Sequence, residues 1–123
     1  MPETADHYAE TTEETDSQTL AIRQLNDQLR RTFAGGRVVM TSGLLALGDE
    51  TVYQVLQAVQ AFEDFNEGND PYRTHDFGAV QIDDHNLMWK IDAYDENLEY
   101  GSPDPADPSV TTRVLTIFLA SEY

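Results

Sequence analysis

The chain has 123 residues, 40% of them hydrophobic, no cysteine, and a formal net charge of -16 from 23 acidic against 7 basic residues. That size and apolar content suffice for one buried core and argue against a wholly disordered chain, while the missing thiols exclude disulfides, thiolate zinc sites and cysteine nucleophiles. A surface this acidic repels phosphate backbones and anionic lipid and attracts cations and basic partners, so neither direct nucleic-acid binding nor membrane association is expected.

The charge is unevenly spread. Residues 1–18 carry six acids and no base, whereas residues 19–48 hold Arg23, Arg30, Arg31 and Arg37 against Asp27 alone. Residues 49–110 then set fifteen acids against Arg73 and Lys90, a net of -13. The first 17 residues lack apolar periodicity and read as a disordered acidic tail, which leaves 18–123 as a single α+β domain. Without a basic and apolar leader, and without the roughly 20 apolar residues that span a bilayer, the expected location is cytoplasmic.

From Leu20 the apolar residues fall at Ile22, Leu25, Leu29 and Phe33, which predicts an amphipathic helix capped by Asp16 or Ser17 and stopped by Gly35-Gly36. Arg37 to Thr41 is β-branched and short, a strand leading into turns at Ser42-Gly43 and Gly48. Asp49 caps a second helix that places Val52, Val55, Leu56, Val59 and Phe62 on one face and ends near Asn66. After a loop rich in Gly, Asn and Asp, Phe77–Ile82 and Leu87–Asp95 predict a β-hairpin joined by the four residues Asp83 to Asn86. Within it Leu87, Trp89, Ile91 and Ala93 share one face and Met88, Lys90, Asp92 and Tyr94 the other, so Trp89 anchors the core. Gly101 to Pro108, with three prolines, forms a stiff loop, and the β-branched run Thr111 to Ala120, apolar on both faces, predicts a central strand. The order α-β-α-β-β-β defines an α+β domain with two helices packed on a mainly antiparallel sheet. A terminal strand apolar on both faces needs either two helix layers or a second subunit to cover it, which leaves homo-oligomerisation open.

The strings THDFGAVQIDDHNLMWKIDAYD and YGSPDPADPSVTTRVLTIFLASEY resemble a small proteobacterial family of unknown function, over roughly residues 20 to 123. The resemblance implies plasmids or mobile elements as the setting, and hence an accessory or anti-defence role, but it brings no catalytic residue, cofactor or ligand set with it.

The residues themselves offer several kinds of chemistry. A divalent metal would find imidazole and carboxylate ligands in His75, Asp76, Asp83, Asp84, His85, Asp92 and Asp95, but the two ends of the first hairpin strand lie roughly 20 Å apart, so no metal site is expected. Asp64 to His75 does not match a calcium-binding EF-hand loop, because Gly68, Asn69 and His75 fall where an Asp or Asn, a Gly and a Glu are needed. Ser42, Ser102 and Ser109 lie in turns and not in a nucleophile elbow, and Gly35-Gly36-Arg37 ends a helix where a phosphate loop would open one. No catalytic residue and no cofactor are therefore assigned. The acids at Asp83, Asp84, Asp95, Glu96, Glu99, Asp104 and Asp107 supply a face for a basic protein surface, in its sharp form a mimic of nucleic acid that occupies a nucleic-acid-binding protein of the host or its defences. The alternatives are a small enzyme or ligand-binding domain with a pocket of His75, Asp92, Tyr94 and Tyr100, or an acidic surface that serves only solvation or salt adaptation.

Overall fold

The computed structural model describes residues 16–123. The expected tail lies outside the described residues except for Asp16 and Ser17, which open the first helix. Helix α1 spans Ser17–Thr32, and Asp16 caps it by accepting from the Thr19 amide at 2.7 Å. Its last turn holds Arg30 and Arg31, where cations oppose the helix dipole. The chain leaves the helix through Phe33 in the left-handed conformation, φ 60°, two residues before the glycines expected to stop it.

Strand β1 (Arg37–Met40) follows. The expected turn after it contains a one-turn helix, α2 (Ser42–Leu45), capped by the Thr41 hydroxyl, which accepts from the Leu44 amide at 3.3 Å. Helix α3 (Asp49–Ala61) begins after Gly48, whose φ of 100° suits glycine; Asp49 is thus its first residue and not its cap. It ends at Ala61, five residues earlier than expected, because Phe62 turns extended and drives its ring into the core.

The hairpin forms with β2 (Phe77–Ile82) and β3 (His85–Tyr94). Its connection is Asp83-Asp84 alone, not the four residues expected: Ile82 pairs with His85, and Asp83 adopts φ 54°. A two-residue turn needs a positive φ, and an Asp tolerates it better than most side chains. A 3-10 turn, Pro108–Val110, leads into β4 (Thr112–Leu119), and a second one covers Ala120–Glu122.

The sheet order is β1-β4-β3-β2. The run Thr111 to Ala120 is accordingly a central strand, antiparallel to β3 and parallel to β1. Leu29, Leu44, Val55 and Val59 from the three helices join Leu87, Trp89, Leu115 and Ile117 in one core cluster. Alternation along the strands therefore buries one face of the sheet and turns the other away from the helices. That open face carries Val39, Met88, Lys90, Asp92, Val114 and Thr116 by register. The C-terminal turn reaches it: the Tyr123 ring stacks on Phe118 at 5.9 Å and approaches Phe77 at 6.4 Å.

Candidate functional site

The seven acids of the expected face sit at two ends of the hairpin. Asp83 and Asp84 form its turn, whereas Asp95, Glu96, Glu99, Asp104 and Asp107 lie in the loop beyond the far end of β3. The ten residues of β3 separate the groups by about 30 Å at strand rise. The distal loop folds back on the strand: the Asp95 amide donates to the Tyr100 carbonyl at 2.8 Å and the Ser102 amide to the Ala93 carbonyl at 3.0 Å.

Three of those carboxylates also shape the loop. Asp95 Oδ1 accepts from the Asn97 and Glu99 amides at 3.2 and 3.0 Å. Asp104 Oδ1 accepts from the Ala106 amide at 3.2 Å. Asp107 Oδ1 accepts from the Ser109 hydroxyl at 2.7 Å and the Ser109 amide at 2.9 Å, and these bonds hold its carboxyl below the usual value. Such short-range caps explain why Asp is chosen at these turns. Glu96 and Glu99 are exposed.

The second expected set, His75, Asp92, Tyr94 and Tyr100, is divided by the sheet. Asp92 and Tyr94 project from the open face, where Asp92 pairs with Lys90 at 3.0 Å, and Tyr100 is exposed in the distal loop. His75 lies on the helix side, its ring stacked on Phe65 with centroids 3.7 Å apart. Its Nδ1 is 2.9 Å from Asp27 Oδ1 and its Nε2 is 3.5 Å from Asp70 Oδ2. Both ring nitrogens thus face carboxylates.

Around this histidine is a polar network that sequence reasoning did not assign. Arg30, fully buried, donates to Asp27 at 3.1 Å and to the Val59 and Gln60 carbonyls at 3.2 Å, with its guanidinium 5.4 and 5.5 Å from the Phe65 and Trp89 ring centres. Desolvation works against the Asp27 carboxylate, but the His75 and Arg30 contacts hold its carboxyl below the ordinary value. Arg23 and Asn26, on the same helix, donate to the Arg73 and Thr74 carbonyls at 2.7 and 2.9 Å. Buried Arg113 donates to Asn26 Oδ1 at 2.8 Å and to the Pro105 carbonyl. Helix α1 therefore clamps the loop before β2, where Arg73 and His75 both adopt positive φ (60° and 56°). The one legible signal was the spacing of Asn26, Asp27 and Arg30 beside Leu29 on one helical face; their partners are 29 to 87 residues away in sequence.

At the start of β2, the Asp76 carboxyl is raised above its ordinary value by desolvation and by the charges of Asp70 and Asp92. No group of three or more His, Asp or Glu is placed to hold a metal ion among the described residues. His85 lines a cleft of about 260 Å³ with Asp84, Leu47 and Leu119. A second, of similar volume, lies on the open sheet face between Lys90, Phe118, Glu122 and Tyr123. No helix among the described residues is long and apolar enough to cross a membrane.

Fold and site together define a two-layer α+β domain whose sheet has one helix-covered face and one open face, with acids beyond both ends of the open face's long strand. The chain belongs to the family described as protein of unknown function (DUF3768), which matches residues 40–122. The match starts at the end of β1, later than the residue 20 or so expected from the sequence, and so omits α1 and its clamp. Neither a curated protein nor a solved structure matches the chain.

Proposed function

We propose that this protein is a non-enzymatic interaction module that docks on a basic protein surface through the open face of its sheet, with the acids at the two ends guiding the approach. The observation that carries the reading is the uncovered sheet face itself. Its side chains mix apolar groups with Arg37 at one edge and one ion pair, Lys90 with Asp92, while the unbalanced negative charge stands at the hairpin turn and in the 95–107 loop. An apolar centre with a charged rim is the ordinary anatomy of a protein interface, and rim charges set association rate and partner choice.

In its finer form the partner is itself a nucleic-acid-binding protein, as in restriction or other defence machinery, and the acids take the place of phosphates. Two acidic ends about 30 Å apart suit contacts with two separate basic patches. Capture of partners from a lysate, followed by elution across a salt series, tests the reading. The expected partner is basic, loses roughly tenfold or more in affinity between low and physiological salt, and is displaced by duplex DNA. Partners indifferent to salt would contradict the docking mode, and basic partners indifferent to DNA would contradict mimicry.

A further inference from the structure

Strand β2 is the last strand of the sheet, and its outer edge pairs with no other strand among the described residues. The hairpin fixes which groups face outward. The two-residue turn makes Ile82 and His85 the closing hydrogen-bonded pair, and the Ile91 amide donates to the Asp76 carbonyl at 2.9 Å, so the even-numbered residues of β2 bond to β3. Phe77, Ala79 and Gln81 therefore direct their amide and carbonyl groups away from the sheet. No other backbone among the described residues bonds to them.

Natural edges of this kind are normally blunted by proline, by an inward charge or by a bulge. Phe77–Ile82 has none of these: it is regular along all six residues and contains no charge and no proline. Its protection lies at the ends instead, in Asp76 before it and Asp83-Asp84 after it. An antiparallel second copy in either central register would bring Asp76 of one chain beside or opposite Asp83 or Asp84 of the other, and like charges across a ladder are unfavourable. Residues 1–15 carry five acids and no base, so the same charges disfavour them as occupants. A strand with basic residues at both ends meets complementary charge in either direction.

We infer that the edge of β2 accepts an extended peptide segment of about six residues flanked by Lys or Arg, which adds a fifth strand to the sheet. The inference deepens the proposed function, and it rests on that reading for the basic flanks only. The test is a titration of the isotopically labelled protein with a synthetic peptide of alternating Thr and Val between paired lysines. Amide shifts should concentrate at residues 77, 79 and 81. Methylating the alternate peptide nitrogens that face the edge should abolish them, methylating the opposite set should not, and replacing lysine with glutamate should weaken binding roughly tenfold or more. Ala79→Pro removes an outward amide without touching the β2–β3 ladder and should abolish binding while the amide spectrum of the core stays folded.

Shifts at 77–81 that grow with protein concentration in the absence of peptide would overturn the inference in favour of self-pairing. Equal binding of the lysine and glutamate peptides at the edge would overturn the basic partner here and in the proposed function. Binding confined to other residues, or no binding while basic proteins are still captured, would overturn the edge alone.

Discussion

Asp27 accepts from the Arg30 guanidinium and faces His75 Nδ1 through the same oxygen, so one carboxylate ties α1 to the loop that enters β2. Removing one member of a buried ion pair leaves the other desolvated without compensation. Asp27→Asn should cost about 3 kcal/mol in urea unfolding. The pH dependence has a definite sign. Because the folded carboxyl lies below its ordinary value, its contribution is fully present above the unfolded value near 3.9 and is lost as pH falls through the folded one. Acid unfolding of Asp27→Asn should accordingly be shallower than that of the native chain below about pH 4, and parallel curves would contradict the assignment. Of this clamp only the helical face shared by Asn26, Asp27 and Arg30 was legible, since a helix pattern shows which residues share a face but not which loop returns to it. His75 was expected as a metal ligand or in a pocket with Asp92, Tyr94 and Tyr100, yet its ring nitrogens face Asp27, on a helix 48 residues earlier, and Asp70 in its own loop.

The elements were more legible than their pairing. Trp89 was expected to anchor the core from strand alternation, and it is fully buried opposite Gly78. A Cβ on Gly78 would lie 2.5 to 2.8 Å from the Trp89 indole, which is held by Phe62 and Phe65 at ring distances of 5.5 and 6.2 Å. Gly78→Ala should thus destabilise the fold by roughly 1–3 kcal/mol through overpacking, measured by thermal or urea unfolding; a neutral effect would mean that the indole can shift. The length of the hairpin turn was misjudged because Asp83 supplies the positive φ usually supplied by glycine. Helix α2 was hidden by Ser42, Gly43 and Gly48, which look like turn residues, although Thr41 caps a helical turn between them. The parallel pairing of β1 with β4 joins segments more than 70 residues apart, and no local pattern specifies it. The run Thr111 to Ala120 is apolar on both faces, but only its Leu115 side meets the helices; Phe118, on the other, is covered by Tyr123.

For the molecule as a whole, a charge of -16 opposes compaction by self-repulsion. Salt should therefore raise the melting temperature by a few degrees before specific ion effects enter, and a flat salt response in scanning calorimetry would show that the charges are already compensated. Repulsion of this kind is shared by every acid on the surface, whereas the proposed docking assigns a role to those at the ends of the open face. The most direct test compares three neutralised variants, each removing two charges, for the affinity of the captured basic partner at low salt: Asp83→Asn with Asp84→Asn at the hairpin turn, Glu96→Gln with Glu99→Gln in the distal loop, and Glu63→Gln with Asp64→Asn beyond the end of α3 on the helix side. The first two should weaken binding several-fold and flatten its salt dependence, while the third should leave both near the native values. Equal losses in all three would contradict the proposed docking, and would reduce the acidity to a diffuse property of the surface.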